Sequence, residues 1–152
     1  MARYSLADYT LALTLPSDFA TEMGLTGSLV VGGEGSYLDS FLVELDNDMY
    51  STKGDSTGSW VHDRNLSRTG KVTISIHQLS DNIAKFKKIV NLYYTSSTNY
   101  QGITLALSPN QSEHHVVDCE DCYFQKIPNQ EFGSESGNQS WILTCGQITF
   151  ND

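Results

Sequence analysis

Two histidines and two cysteines lie close together in the stretch HHVVDCEDC. Cys119 and Cys122 have the Cys-x-x-Cys spacing of half a zinc site, to which His114 and His115 could add further ligands. A zinc knuckle turns at such a pair, whereas this pair lies inside a strand pattern, where period two would place the two thiols on opposite faces. We therefore interpret both as ordinary strand cysteines and expect no bound metal. A small β-barrel that binds a metal or ligand through these four residues is the alternative from a different class.

Catalysis would need an activated nucleophile, or two carboxylates held apart in a cleft with different pKa values. The acidic residues instead lie in rows on strand patterns and in loops, and no GxSxG nucleophile elbow occurs. The glycine-rich stretch GSLVVGGEGS has neither GxGxxG nor GxxxxGK[ST] spacing, so it is interpreted as a turn between strands. His62, Asp63 and Arg64 have catalytic residue types, but contact with a partner is the better interpretation. We expect no catalytic residues, no enzymatic activity and no cofactor.

The protein is acidic, with 18 Asp and Glu against 9 Lys and Arg and a net charge of −9. A surface that holds phosphates needs clustered Lys and Arg, so tight binding of nucleic acid is disfavoured. An acidic surface that lets DNA slide by is compatible with this charge, because like charges repel. Glu44, Asp46 and Asp48 alternate along one strand pattern, and Asp118 and Glu120 share the face of another.

With 152 residues, 39% of them hydrophobic and 18% charged, the chain predicts one globular domain over residues 1–152. The first residues, MARYSLADYTLALTLP, lack a basic region followed by an apolar block, so we expect no signal peptide. No apolar run is long enough to span a bilayer, so we expect no membrane insertion. Synthesis in the cytoplasm would keep the three cysteines as free thiols.

Alternating apolar residues predict most of the secondary structure. Strands are expected at YTLALTL, SYLDSFLVELDNDMYS, GKVTISIHQL, ITLALSP, HHVVDCEDCYFQKIP and WILTCGQITF. In the second of these, period two predicts that Tyr37, Phe41, Val43 and Leu45 face inward while the acidic residues face outward.

One segment, SDNIAKFKKIVNLYY, has the pattern of a helix. Ser80 is a suitable N-cap, and apolar residues follow at helical spacing: Ile83, Phe86, Val90 and Tyr93. A single helix cannot cover both faces of a sheet. The predicted fold class is therefore mainly β (α+β), with two packed antiparallel β-sheets in a small sandwich or barrel and one flanking α-helix.

A long polar segment, at about residues 47–69, separates the acidic strand from GKVTISIHQL. It is too long for a simple hairpin, and leaving it free would cost conformational entropy. Ordering it against a neighbouring molecule would offset that cost. Trp60 is then a plausible anchor, since aromatic residues dominate interface hot spots, with His62, Asp63, Arg64 and Arg68 as further contacts. The alternative is that Trp60 packs on its own core.

Several stretches, taken in order, resemble the bacteriophage tail-tube proteins. They are MARYS, the acidic strand, the polar segment, TGKVTISIHQLSDNIAKF and the Trp-containing last strand. The resemblance is to short single-domain tube subunits that begin Met-Ala-x-Tyr-Ser. In that group a small residue and glycine lead into a Val-Thr strand, and a Leu-x-x-Asn step opens the helix. The matching positions here are Thr69-Gly70, Val72-Thr73, and Leu79 with Asn82. PSDFATEMGLTGS and CEDC depart from that pattern.

The resemblance implies a fold of two nearly orthogonal sheets with one helix. It also implies a structural virion protein whose copies join sheet to sheet into rings, usually hexameric, that stack into a hollow conduit for DNA. The segment 47–69 would then reach a neighbouring subunit or ring. The implied partners are copies of the chain itself, together with tail sheath, tape measure, baseplate and tail-terminator proteins. The implied location is the phage tail, after synthesis in the host cytoplasm.

Glu44, Asp46, Asp48, Asp118 and Glu120 are the candidate lumen-facing acids under this interpretation. Either row could instead face outward and serve only solubility. An inner-tube protein of a contractile secretion or bacteriocin particle is the alternative within the same structural family. The lysine-bearing face of the helix is a candidate contact for a surrounding sheath.

Overall fold

The computed structural model describes residues 9–17, 28–31, 38–96, 100–109 and 116–151. These residues form β1 (Tyr9–Thr14), β2 (Ser28–Val31), β3 (Leu38–Leu45), β4 (Tyr50–Gly54), β5 (Trp60–Arg64), β6 (Gly70–His77), α1 (Asp81–Thr95), β7 (Ile103–Pro109), β8 (Val117–Phe124) and β9 (Asn138–Phe150). Among the described residues, no helix is both long enough and apolar enough to cross a membrane.

Seven strands form one antiparallel sheet in the order β2-β1-β7-β8-β9-β6-β3, and β4 and β5 form a separate pair. The large sheet is curled: Leu11, near one end of the strand order, and Val43, at the other end, line the same cavity of about 10 Å³. Such a cavity is barely large enough for one water molecule. The predicted fold class is confirmed, and its two layers are the facing halves of one continuous sheet.

The buried side chains follow the strand periods that the sequence predicts. On β6, Val72, Ile74 and Ile76 are buried, while the residues between them are partly exposed. β7 buries Ile103 and Leu105 in the same way. One face of each strand thus belongs to the core and the other to the outer surface of the sheet.

The helix lies against one part of this core. Ser80 caps it as predicted, since its side chain accepts a hydrogen bond from the Asn82 backbone N–H at 3.3 Å. Phe86 is fully buried, and its ring centroid lies 5.1 Å from that of Phe124 and 5.5 Å from that of Trp141. Tilted aromatic contacts at these distances are favourable.

The predicted pattern of β3 is only partly confirmed. Phe41 and Val43 pack against the core, but Leu45 is exposed because it is the last residue of a strand at the edge of the sheet. Tyr37 lies outside the described residues. The strand ends at Leu45, so Glu44 is on the strand while Asp46 is beyond its end.

The segment 47–69, expected to be too long for a simple hairpin, contains one. β4 and β5 pair over their full length, from Tyr50↔Arg64 to Gly54↔Trp60. The Asn65 N–H continues the ladder to the Met49 carbonyl at 2.7 Å. Every residue of the segment is exposed, so no alternation of buried and polar positions marks its strands in the sequence.

Gly70, the first residue of β6, lies where two backbones approach closely. A Cβ at this position would meet the Glu44 carbonyl oxygen of β3 and the Ile148 side chain of β9. The β3 backbone is held in the ladder and cannot move aside without breaking it. We expect Gly70→Ala to lower the free energy of unfolding by about 2–3 kcal/mol. A thermal melt would show this as a fall in Tm of about 5–10 °C.

Gly137→Ala is the matched control for this substitution, because nothing lies within 4 Å of a Cβ built at Gly137. Its Tm should stay close to that of the unchanged protein. Equal melting temperatures for the two variants would contradict the close approach at Gly70.

Candidate assembly surfaces

The segment 47–69, called the arm below, projects as a two-stranded hairpin. At its base the Asp46 N–H donates to the Thr69 carbonyl at 3.0 Å. At its tip the Asp55 N–H donates to the Ser59 carbonyl at 2.9 Å, and Gly58 has a φ of 90° that glycine adopts without strain. The arm is therefore a hydrogen-bonded hairpin over residues 49–65, joined to the large sheet by extended chain, and not an irregular loop.

Both faces of the arm are open to solvent, although it carries several large apolar side chains. Trp60 is 67% exposed, so the alternative that it packs on its own core is wrong. Four further exposed apolar residues were not singled out by the sequence analysis: Met49, Tyr50, Val61 and Leu66. A two-stranded hairpin is only marginally stable alone in water. A cluster of exposed apolar side chains such as these five is typical of an interaction site.

The predicted contact residues divide between the two faces of the arm. Trp60, His62 and Arg64 alternate along β5 and share one face, where the Thr52 hydroxyl lies 2.8 Å from His62 Nδ1. Asp63 lies on the other face, and its carboxylate is 3.7 Å from the Lys53 ammonium group. This ion pair is well exposed and contributes little to stability.

Arg68 lies outside the hairpin, in the extended chain that leads into β6. Its backbone carbonyl accepts a hydrogen bond from the Ile148 N–H at 3.0 Å, and its side chain is exposed. This contact ties the base of the arm to the last strand of the large sheet.

The tip of the arm is held by the Asp55 carboxylate. It accepts hydrogen bonds from the Thr57 hydroxyl at 2.7 Å and from the backbone N–H groups of Ser59 and Thr57 at 3.0 and 2.9 Å. These bonds favour the charged form and lower the pKa of Asp55.

We expect Asp55→Ala to speed hydrogen exchange of the Thr57 and Ser59 amides by roughly two- to tenfold. Asp55→Asn is the control, because its amide oxygen still accepts. The pKa of Asp55 in the folded protein lies below its unfolded value of about 3.9. The charged carboxylate therefore protects the two amides from exchange fully above the unfolded pKa, and this protection is lost as pH falls through the folded pKa. Exchange measured by NMR that is equal in all three proteins would contradict this role.

The candidate lumen acids differ in their surroundings. Glu44, Asp46, Asp48 and Glu120 are exposed. Asp118 is half-buried and accepts a hydrogen bond from the Asn151 side-chain amide at 2.8 Å. Asp118 thus has a structural contact within the chain, whereas Glu44 on β3 and both Asp46 and Asp48 beyond its end are exposed.

The large sheet ends in β2 on one side and in β3 on the other, within the part of the chain that the structure describes. Both edge strands carry exposed apolar side chains, Val30 on β2 and Leu42 on β3. An edge strand offers unpaired backbone groups to a strand of another molecule. These edges form a second candidate assembly surface.

The predicted placement of Cys119 and Cys122 on opposite faces of β8 is wrong, since both are buried in the core. Between Cys119 and Cys122 the pairing of β8 with β7 shifts by one residue, and Asp121 there has a φ of 56°. This bulge adds the residue that returns the second thiol to the inner face.

The buried thiols form a cluster with Cys145 on β9. The Sγ atoms of Cys122 and Cys145 are 2.9 Å apart, whereas two thiolates on one tetrahedral zinc ion would lie about 3.8 Å apart. Among the described residues, no group of three or more His, Cys, Asp or Glu is arranged to hold a metal ion. His114 and His115 lie outside the described residues.

The fold is that of proteins from contractile injection systems. One similar structure is the tube-terminating cap of the anti-feeding prophage, with 12% identity, a TM-score of 0.50, and coverage of 99% of this chain and 93% of that chain. A second belongs to the sheath–tube complex of an extracellular contractile injection system, with 9% identity, a TM-score of 0.53 and coverage of 98% and 91%. A third is the sheath/tube terminator of such a system, with 7% identity, a TM-score of 0.55 and coverage of 100% and 99%. At these identities the likeness shows the fold.

The sequence itself identifies the family. The model of the bacteriophage PhiTE tail tube protein matches residues 1–151, so the chain belongs to this family of phage tail tube proteins. No curated protein matches the sequence significantly.

Proposed function

We propose that this protein is the tail-tube subunit of a phage. Its copies assemble into stacked rings, of the hexameric kind implied by the resemblance, around a hollow conduit for DNA. The whole chain acts as one tube domain, with the arm as its inter-subunit element. The role is structural and not enzymatic. Its partners are other copies of itself and the sheath, tape measure, baseplate and tail-terminator proteins of the particle, in which it resides after synthesis in the host cytoplasm.

The observation that carries this proposal is the arm. An isolated hairpin with both faces exposed gains stability when a second surface covers it. Trp60, Tyr50 and Arg64 are residue types enriched in interface hot spots, and register places all three on one face. A neighbouring subunit that covers this face would bury its apolar side chains and order the hairpin.

The edges of the large sheet support ring formation. If β2 or β3 of one copy pairs with the next copy, the unpaired backbone groups of the edge gain partners. Repeating one such head-to-tail contact around a rotation axis closes a ring and leaves no free edge. The arm would then serve contacts between rings or between neighbouring subunits.

The test is electron microscopy of the purified protein over a range of concentrations. Hollow rods of uniform width, built from stacked rings, would support the proposal, and their helical symmetry would give the number of subunits in a ring. A protein that stays monomeric at every concentration, even with fragments of particle tubes added as seeds, would overturn it.

For the lumen we propose the row of Glu44, Asp46 and Asp48, because Asp118 is engaged by Asn151. Exposed carboxylates repel DNA phosphates and leave no long-lived binding site. Glu120, the exposed member of the other row, is the remaining candidate from the same outer surface.

Charge reversal tests the lumen assignment. Glu44→Lys with Asp46→Lys should leave tubes intact but slow DNA ejection at least tenfold, about the effect of a few new phosphate contacts, and added salt should weaken the defect. Glu131→Lys, a reversal in the exposed loop before β9, is the control and should eject DNA normally. Normal ejection by the double variant would place the row away from the lumen.

The inner tube of a contractile injection particle is a second candidate, favoured by the fold of the structural neighbours. The two candidates differ in cargo. Purified particles that contain this subunit and package DNA would favour the phage tail, and particles without a DNA-filled head would favour the injection system.

A further inference from the structure

Three cysteines meet in the core where β8 and β9 run side by side. Cys119 and Cys122 come from β8 and Cys145 from β9, and all three are buried free thiols. Cys122 donates to Cys145, with 2.9 Å between their sulfur atoms. Cys119 is close enough to both thiols to affect their pKa values. Neither the proposed assembly nor the family assignment uses this cluster.

The geometry of one pair suits a covalent bond. Cys122 and Cys145 are directly opposite in the antiparallel ladder, where Cα atoms are about 4.5–5.5 Å apart. A disulfide accepts Cα distances of about 4.4–6.8 Å. The sulfur atoms need only close from 2.9 Å to about 2.05 Å. Cys119, by contrast, is opposite Ile148.

We propose that Cys122 and Cys145 form a cross-strand disulfide when the protein meets a peroxide oxidant. One thiolate attacks an oxygen of hydrogen peroxide, the O–O bond breaks, and a sulfenic acid forms while hydroxide leaves. The second thiolate attacks that sulfur, the S–S bond forms, the S–O bond breaks and a second hydroxide leaves. The two thiol protons convert both hydroxides to water. Each sulfur gives up one electron, and the peroxide is reduced by two.

The intact fold makes this reaction slow. The interaction with Cys119, together with burial, raises the pKa of Cys122 and that of Cys145, while the same interaction lowers the pKa of Cys119. Cys122 and Cys145 stay protonated near neutral pH, and the thiol is far less nucleophilic than the thiolate. The reaction therefore proceeds through brief openings of the sheet, over minutes to hours.

The bond would strengthen the sheet against unfolding. It joins two strands on either side of the loop 125–137 and restricts the unfolded chain. If the protein is a particle subunit, as proposed above, the bond would form after the particle leaves the reducing host cytoplasm. The chemistry itself is tested on the isolated chain and does not depend on assembly.

The experiment treats the purified protein with hydrogen peroxide and follows it by intact mass, thiol titration in denaturant, and peptide mapping. We expect a loss of about 2 Da, a fall from three titratable thiols to one, and a peptide that links residues 122 and 145. The oxidised protein should melt roughly 5–10 °C higher, and dithiothreitol should reverse every change.

Two variants separate this pair from the third thiol. Cys119→Ser should form the same bond, and Cys145→Ala should keep two free thiols and show no rise in Tm. Peptide mapping of the unchanged protein serves as the decisive readout if either variant folds poorly. Three free thiols after prolonged treatment, a disulfide that includes Cys119, or conversion to sulfinic acid alone would overturn the proposal.

Discussion

Trp60→Ala combined with Arg64→Ala should give a folded subunit that builds tubes only at a much higher protein concentration. Trp60 is largely exposed in the chain, and Arg64 shares its face of the arm. Neither side chain supports the core, so the Tm of the monomer should stay within about 2 °C of the original value. A buried Trp at an interface contributes 2 kcal/mol or more, so each contact should weaken about 30-fold or more. Because every subunit repeats the contact, the protein concentration needed for assembly should also rise at least about 30-fold.

The measurement is the concentration at which rods first form, by sedimentation and electron microscopy. Leu79→Ala is the matched control, since Leu79 is a similarly exposed apolar residue outside the arm. It should assemble at the original concentration. Tubes of normal length from the double variant would remove the arm from the assembly mechanism and leave the edges of the large sheet to carry it.

The elements that the sequence predicts well are those with one face in the core. Apolar and polar residues alternate along β6 and β7, because burial of one strand face imposes period two. The helix α1 has apolar residues at helical spacing and begins directly after a Ser N-cap. In each case the apolar face packs against the core of the same chain. The signal therefore lies within a few residues and can be found without knowledge of the rest of the fold.

The arm and the cysteine cluster could not be predicted in the same way. β4 and β5 have no buried face within the subunit, so their apolar residues follow no period set by the core. The inward position of both Cys119 and Cys122 depends on a bulge at Asp121, where the pairing with the preceding strand β7 shifts by one residue. Asp tolerates positive φ better than most residues, but many Asp residues occupy other conformations. The arm thus lacks a pattern imposed by the core, and the bulge lacks a residue type that marks it in the sequence.

The two tryptophans should give opposite results when each is replaced by alanine. Trp141 is fully buried on β9, and its ring centroid lies 5.8 Å from that of Phe124 in an edge-on contact. Its indole N–H donates to the Gln139 side chain at 3.2 Å. Trp141→Ala removes these contacts and leaves a cavity between sheet and helix, so it should cost about 3–5 kcal/mol.

That loss is a large share of the roughly 5–15 kcal/mol that stabilises a typical domain. Urea unfolding of the monomer should show it directly, and Trp141→Phe, which keeps an aromatic ring against Phe86, should lose less. Trp60→Ala is the internal control, with unchanged unfolding and impaired assembly. If Trp141→Ala instead unfolded at the original urea concentration and failed only in assembly, its side chain would be acting at an interface. The separation of core and assembly roles between the two residues would then be wrong.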